Sequence, residues 1–252
     1  FVKEYLSDTV FMYNATDATK ISLRVKPVKV VKEENPKNKV GRPKKSEVKE
    51  PKQPTILQQQ QTMTTTKEML SLVSTHCGVG IKQNSKGNKE VWIGGKLHIS
   101  AVDGDIPITA FYSGANVHDS SVALPLINET SKRVNYFYDL QDAGYDSEII
   151  RNFSKKLGHR AIIDINPKNS KELKEKIELQ TQEQKKFKLL HLPQNLDIHH
   201  YNQRSMVERV NKYLKEDFGC NTIYYQGATK VASVLAFGIL SICIHQSLKL
   251  VT

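Results

Sequence analysis

Four residues in the last quarter of the chain have types and spacings that could act together on one substrate. Tyr201, Arg204, Glu208 and Lys215 follow one another at intervals of three, four and seven residues. On an α-helix these offsets return side chains to one face, so the four residues would form a stripe about four turns long. Two interpretations fit this stripe. It is either a solvated helix edge with an Arg–Glu pair, or a metal-binding Glu208 beside basic groups that bind a polyanion.

The charge of the chain favours a polyanionic partner. The 252 residues include 37 Lys and Arg against 26 Asp and Glu, a formal net charge of +11. Such an excess of positive charge most often promotes binding to nucleic acid, through release of counterions. The three cysteines lie far apart, without the spacing of a zinc site or of a disulfide framework, so we expect a reducing compartment.

Most of this charge lies in one segment. Residues 20–53 hold twelve Lys or Arg and four Glu, and residues 24–66 form a basic, Pro- and Gln-rich insertion that we expect to be extended or disordered, including its Gln run. The stretch "GRPKK" within it resembles an AT-hook, a short motif that reads the minor groove. Its basic residues, Arg42, Lys44 and Lys45, are candidate DNA contacts, although a general phosphate-attracting linker fits as well.

Strand and helix patterns predict an α/β fold. An apolar, β-prone stretch precedes Asp17, two strands flank a turn at residues 103–105, and strands then alternate with helices. This order predicts a mixed sheet flanked by helices, with the basic insertion after the first strand. The apolar run of residues 231–244 is shorter than the roughly 20 residues that span a bilayer, so we expect a buried core helix and no membrane partner.

Three acids are candidates for one metal site. We expect Asp17 near the end of the first strand, Asp142 just after a later strand, and Glu208 on a late helix. Carboxylates with water are the ligands that Mg²⁺ prefers, and two ions about 3.5–4 Å apart could serve an attacking and a leaving oxygen. From the residues alone, other acids remain equally possible: Asp103, Asp139, Asp146 and Asp164. The imidazoles of His118, His199 and His200 suit Mg²⁺ poorly, so packing roles are expected for them.

Five stretches of the sequence resemble the DDE transposases of bacterial insertion sequences, and one of them, "GGKLHISAVDGDIPITAFYSGANVHDSSVALPL", resembles the strand pair and helix between the first two acids. The signature Tyr-x2-Arg-x3-Glu-x6-Lys is filled without a gap by Tyr201, Arg204, Glu208 and Lys215. "TDATKI" resembles the first-acid block, with Ala18 where Ser is usual, and "DAGYDSEIIRNFSKKLGHRAIIDINPK" resembles the second-acid block. "GATKVASVLAFGILSICIHQSLKL" resembles the closing helix. The likeness extends from about residue 10 to the C-terminus.

The resemblance implies a ribonuclease-H-like fold and a catalytic set of Asp17, Asp142 and Glu208. It implies two Mg²⁺ ions, with Mn²⁺ as a substitute, that support cleavage of double-stranded DNA at element ends and joining of the freed 3′-hydroxyl to target DNA. Tyr201, Arg204 and Lys215 would then contact DNA. We further expect one catalytic domain over residues 1–252 without an N-terminal DNA-recognition domain, a homodimer in the DNA complex, and a cytoplasmic, nucleoid-associated protein.

Two other functions remain open at this stage. A catalytically incomplete or domesticated DNA-binding remnant would keep the basic groups without completing the reaction. A different two-metal nuclease on a similar core would need the acids but not the Tyr–Arg–Glu–Lys stripe.

Overall fold

A long strand, β1 (Val10–Leu23), lies in the middle of a mixed sheet. The computed structural model describes residue 6 and residues 9–27, 53–83, 87–167, 170–189 and 196–251. Strands pair in the order β2-β3-β1-β5-β6, with β4 on β3 and β7 on β1. β2, β3 and β4 pair antiparallel, whereas β5, β6 and β7 are parallel to their partners. The remaining strands are β2 (Gly78–Gln83), β3 (Lys89–Val102), β4 (Ile106–Gly114), β5 (Asn135–Gln141), β6 (Arg160–Ile163) and β7 (Thr222–Ile223).

Helices cover both faces of this sheet. One core cluster packs α7 and α8 against β1, β3 and β5, and another packs α2, α3 and α4 around the end of β6. The arrangement is the predicted mixed sheet with flanking helices, of the ribonuclease-H-like α/β class. The helices are α1 (Ile56–Gln60), α2 (Thr66–Ser71), α3 (Ala123–Ser131), α4 (Glu148–Lys156), α5 (Lys171–Leu189), α6 (Leu196–Asn202), α7 (Ser205–Glu216) and α8 (Ala228–Val251); two 3-10 turns are Asp119–Val122 and Ala143–Tyr145.

Alternation along the strands decides which side chains face which layer. Ala15 of β1 and Leu140 of β5, which are paired in register, are both fully buried in the core beneath α7 and α8. Their neighbours Asn14 and Asp139 face the opposite layer, because successive strand residues point to opposite sides. The face under α7 and α8 is therefore apolar until β1 reaches Asp17.

A buried polar network ties β1, β3, β5 and α4 together. Both oxygens of Asp139 accept hydrogen bonds, from Asn14 Nδ2 at 2.9 Å and from Ser154 Oγ at 2.6 Å. Ser100 Oγ donates to Asn14 Oδ1 at 2.6 Å. Burial raises the pKa of Asp139, against the lowering effect of these hydrogen bonds. Since both of its oxygens serve neighbouring elements, Asp139 has a structural role.

The Gln run is helical, which corrects the prediction of extended or disordered chain there. α1 begins with a capping box, in which Thr55 Oγ1 accepts from Gln58 N while Gln58 Oε1 accepts from Thr55 N. Gln60 is fully buried, and its Nε2 donates to the carbonyls of Met69 and Ser121 at 3.0 and 2.8 Å. The rest of the basic segment, residues 28–52 with Arg42, Lys44 and Lys45, lies outside the described residues.

The C-terminal helix α8 is only partly a core helix. Val231, Leu235 and Ile242 are buried, but Phe237 and Leu240 on another face are 70% and 52% exposed. The expectation of a buried helix is therefore right for one face only. Residues 228–249 are long and apolar enough to cross a membrane by length and composition, which for a single helix is weak evidence.

The Asp139 network generates a stability prediction. Asp139→Ala leaves Asn14 Nδ2 and Ser154 Oγ buried without an acceptor, at about 1–3 kcal/mol each. We therefore expect the free energy of unfolding to fall by about 2–6 kcal/mol. Asp197→Ala is the control, because Asp197 forms an exposed ion pair with Arg160 and its loss should cost about 0–1 kcal/mol. Equal losses in urea denaturation of the two variants would show that the network does not hold the strands together.

Candidate active site

The register of two parallel strands brings Asp17 and Asp142 to the same level. Ala15 pairs with Leu140, so two residues further along each chain lie Asp17 and Asp142. Neighbouring strands are about 4.8 Å apart, and a step of two residues returns each chain to the same face. Asp17 lies in the interior of β1, because β1 continues to Leu23 along β3 and β7. The expectation that Asp17 lies near the end of its strand is therefore wrong, yet it lies level with the residue just beyond β5.

Asp17 is an acid in a confined environment. Its Oδ2 accepts a hydrogen bond from Asn211 Nδ2 of α7 at 3.0 Å. Burial, followed by the nearby charge of Asp142, raises the pKa of Asp17 to about 6, although Arg204 acts in the opposite direction. Such a carboxylate is costly to ionise without a further positive charge, as expected for a group that binds a cation.

Asp142 is held by the turn that follows β5. It is the N-cap of the 3-10 turn Ala143–Tyr145, and its Oδ1 accepts a hydrogen bond from Gly144 N at 2.9 Å. A Cβ on Gly144 would lie 3.0 Å from the same oxygen, so a larger residue would crowd the carboxylate. The turn therefore fixes the direction of the Asp142 side chain.

Arg204 lies among the three candidate acids. Burial alone would lower its pKa, but Tyr201, Asp17, Glu208 and Asp142 are close enough to raise it on balance. Its guanidinium forms an ion pair with Glu208, which is 54% exposed, whereas the Arg204 side chain is only 18% exposed. The two aspartates and Glu208 thus surround one arginine.

Glu208 is turned towards Arg204 in this arrangement. Among the described residues, no set of three or more His, Cys, Asp or Glu side chains is close enough together to hold a metal ion. Asp17 and Asp142 lie level on adjacent strands, whereas Glu208 forms its ion pair with Arg204, which also interacts electrostatically with both aspartates. Arg204 is therefore a positive charge that all three acids share.

The predicted single helical stripe is interrupted. α6 ends at Asn202 and α7 begins at Ser205, with i to i+3 hydrogen bonds across the break, including Arg204 N to Tyr201 O at 2.9 Å. Tyr201 consequently lies on α6, while Glu208 and Lys215 lie on α7. The continuous helix is a wrong prediction, although the four residues remain on neighbouring segments.

Tyr201 packs against both the arginine and a further acid. The Arg204 guanidinium carbon lies 5.8 Å from the Tyr201 ring centre, a cation–π arrangement. Burial, and then a hydrogen bond to Asp164, raise the pKa of the Tyr201 hydroxyl. Asp164 follows β6, and its amide donates to Gln141 O at 3.4 Å, which places it level with Asp142. Asp17, Asp142 and Asp164 therefore lie in a row across three parallel strands.

The other acids that the sequence left open have structural partners. Asp103 Oδ2 accepts from Met12 N and Tyr13 N, at the start of β1 and away from Asp17. Asp146 accepts from Arg151 Nη2 at 2.8 Å and from Asn166 N at 2.9 Å. With Asp139 engaged in its buried network, the geometry favours Asp142 over these three as the partner of Asp17.

The histidines pack, as expected. His118 Nδ1 accepts from Ser120 N at the start of a 3-10 turn. His200 forms a 2.7 Å hydrogen bond with the Tyr13 hydroxyl and stacks on Tyr138. His199 meets His200 edge to face.

The chain matches the family model of the transposase DDE domain over residues 51–244. That range is well over half of the chain. The chain belongs to the transposase DDE domain family. No curated protein and no solved structure matches the chain at a significant level.

The region matched to the transposase DDE domain contains Asp142, Tyr201, Arg204, Glu208 and Lys215 but begins after Asp17. The role of Asp17 in a transposase site therefore depends on its register with Asp142 and on its contact with α7. That contact comes from Asn211, which the sequence analysis missed. Asn211 lies three residues after Glu208, an offset that returns to the same helix face, so helical spacing alone carried a signal for it.

The donor atoms at this transposase site suit Mg²⁺ by chemical type. Asp17 and Asp142 offer carboxylate oxygens, and the carbonyl oxygen of the buried Asn211 side chain has no hydrogen-bond partner. Oxygen-only donors with a carboxylate of raised pKa fit a hard divalent cation.

The raised pKa of Asp17 generates a prediction on stability. Folded Asp17 has a pKa of about 6, above its unfolded value of about 4, so ionised Asp17 destabilises the fold above pH 6 and this penalty disappears as the pH falls towards 4. Asp17→Asn should therefore raise unfolding free energy by about 1–2 kcal/mol at about pH 8 in a chelator, and by much less at about pH 4.

Denaturant unfolding across this pH range measures the effect. Asp197→Asn, which changes an exposed acid, is the control and should shift stability little at either pH. An increase in unfolding free energy for Asp17→Asn that is the same at both pH values would show that ionisation of Asp17 does not destabilise the fold.

Proposed function

We propose that this DDE domain cleaves DNA at the ends of a transposable element and transfers the freed strand to target DNA, with two Mg²⁺ ions. The observation that carries this proposal is the alignment of Asp17 with Asp142 across β1 and β5, beside an arginine that also pairs with Glu208. Membership of the transposase DDE domain family supports the reaction class.

Asp17 and Asp142 would hold the metal, with Glu208 completing the set once it leaves Arg204. When bound, divalent ions activate the attacking water or hydroxyl and stabilise the leaving oxygen. Mn²⁺ can replace Mg²⁺, because both take oxygen ligands. The carboxylates themselves orient the site, since Asp142 is fixed by its turn and Asp17 by Asn211.

The basic residues of the site would bind the DNA backbone. Arg204 suits bidentate binding of a phosphate, and Lys215 offers a point charge. A phosphate that takes over the Arg204 guanidinium would replace Glu208 as its partner, which frees Glu208 for the metal. Substrate binding would thereby complete the acidic set. Tyr201, beside Arg204 and hydrogen-bonded to Asp164, would flank the same phosphate or a base.

The site also suggests the setting in which the reaction occurs. We propose double-stranded DNA as the partner, both element ends and target, and a homodimer in the DNA complex. A cytoplasmic, nucleoid-associated location follows from a DNA substrate together with three free cysteines. The α8 helix does not alter this proposal, since one apolar helix is weak evidence for a membrane span.

One observation favours a second function. Glu208 pairs with Arg204 and lies outside any three-acid cluster among the described residues. A domesticated remnant that binds DNA without cleaving it would keep this arrangement when DNA is bound. A nicking assay separates the two functions.

Glu208→Gln tests the metal role of Glu208. The substitution keeps the shape of the side chain but removes its charge, so Mg²⁺-dependent nicking of DNA that carries the element ends should fall by at least about two orders of magnitude. Folding and DNA binding should survive, because the basic groups are unchanged.

Glu216→Gln is the matched control for this experiment. Glu216 is an exposed glutamate at the end of the same helix, paired with Lys212 at 3.7 Å, and its substitution should leave nicking near the wild-type rate. Near-normal nicking by Glu208→Gln would instead show that Glu208 is an ordinary solvated residue of the helix surface.

Deletion of residues 24–53 tests the basic segment. The deletion removes Arg42, Lys44 and Lys45 with most of the excess positive charge, so DNA binding should weaken and its dependence on salt should flatten. Circular dichroism should show a folded core. An unchanged slope of log K against log salt would mean that the segment makes no phosphate contacts.

A further inference from the structure

Three lysines on three different elements interact electrostatically in the neighbourhood of Asp17. Lys215 of α7 lies within electrostatic range of Lys20 of β1 and Lys82 of β2, and also of Asp17 and Glu90. Lys82 in turn lies within range of Asp17. The sequence pattern predicted only Lys215 as a DNA contact. Lys20 and Lys82 become candidates because the fold brings them within electrostatic range of Lys215.

The β2–β3 hairpin has two different faces. Lys82 pairs in register with Glu90, and Gly80 pairs with Trp92, so these four side-chain positions share one face. Trp92 is buried, covers Gly80, and donates from Nε1 to Gly95 O at 3.3 Å. Lys82 therefore lies on the face that the hairpin turns towards the body of the protein. The opposite face carries four exposed apolar residues, Val79, Ile81, Val91 and Ile93.

The hairpin curls back towards β1. Lys20 pairs in register with Lys96, yet its Nζ forms an ion pair with Glu90 near the beginning of β3. Two consecutive glycines in β3 allow this bend: a Cβ on Gly94 would lie 2.1 Å from Ile21 O, and one on Gly95 would lie 2.3 Å from the Tyr112 ring. Only glycine permits so close an approach, so the bend that brings Lys82 to the site is built into the sequence.

Among the described residues, this cluster sets three lysine ammonium groups against the carboxylates of Glu90 and Asp17. Lys20, Lys82 and Lys215 approach one another with Glu90 as the carboxylate bonded to Lys20. Burial of Lys215, followed by repulsion from Lys20 and Lys82, lowers the pKa of Lys215. Like charges held together in this way are relieved by an anionic ligand that passes between them.

We propose that Lys20 and Lys82, together with Lys215, bind backbone phosphates of a DNA strand that lies between the β2–β3 hairpin and α7 and leads to Asp17. The inference rests on the proposed function, and it assigns two phosphate-binding residues and makes the hairpin a DNA-binding arm. Glu90 restrains Lys20 in the absence of DNA. Because phosphate contacts carry no base information, the arm is expected to position DNA without regard to sequence.

Salt dependence of DNA binding by Lys82→Gln tests this assignment. Loss of one phosphate contact should weaken binding of a fluorescently labelled duplex of mixed sequence and reduce the slope of log K against log salt by about one. Lys155→Gln is the matched control, because Lys155 is exposed at the end of α4, near the N-terminal end of β6, whereas Asp142 follows the C-terminal end of the parallel neighbour β5. Its slope should equal that of the wild type.

Glu90→Gln gives a second, opposite signature. Removing this carboxylate frees Lys20 and takes a negative charge away from the phosphate path, so binding should tighten severalfold. A purely structural ion pair would give a less stable fold with no gain in affinity. Glu216→Gln, an exposed glutamate on α7, controls for net charge.

The outcomes separate this inference from the proposed function. Wild-type protein that does not bind the duplex at low salt would overturn the proposed function and this inference with it. If the wild-type protein binds the duplex, two results would overturn the DNA-binding arm alone. One is a salt slope for Lys82→Gln equal to that of Lys155→Gln. The other is an affinity of Glu90→Gln no higher than that of Glu216→Gln. A reduced slope for Lys82→Gln with tighter binding by Glu90→Gln establishes it.

Discussion

β1 and β5 pair in parallel with Ala15 opposite Leu140, and this register positions the whole site. Two residues beyond that pair, Asp17 and Asp142 lie level on adjacent strands, although they are far apart in the sequence. A slip of one residue would turn either aspartate to the opposite face. The buried hydrogen bond from Asn14 to Asp139 joins the same two strands one residue earlier and resists such a slip. The structural acid therefore keeps the candidate catalytic acids in register.

The site concentrates charge that the fold alone does not neutralise. Burial and the nearby charge of Asp142 raise the pKa of Asp17, and Arg204 offsets part of this rise while pairing with Glu208. Lys215 interacts electrostatically with Asp17 and also with two further lysines, Lys20 and Lys82. Binding of cations by the acids and of a polyanion by the lysines would relieve both, so metal and DNA are expected to stabilise the same site. Like charges held close together in this way are typical of functional sites.

The class of the fold and the signature residues were predictable from sequence, because strand alternation and helical spacing are local patterns. Their placement was not. Asp17 was expected near a strand end, but pairing with β3 and β7 extends β1 well beyond it. Gln60 belongs to a segment whose composition predicted disorder, yet it is buried and forms hydrogen bonds to distant parts of the chain. Asp164 and Lys82 join the site through register and a bent hairpin, which depend on contacts between distant segments.

The proposed function requires that Asp17 and Asp142 hold a divalent cation together. Anomalous diffraction from crystals of the protein with Mn²⁺ tests it most directly, because manganese marks its own position. We expect an ion bound by the carboxylates of Asp17 and Asp142, joined in the DNA complex by Glu208 released from Arg204. Manganese bound at other acids such as Asp146, or no ion between Asp17 and Asp142 in the DNA complex, would contradict it.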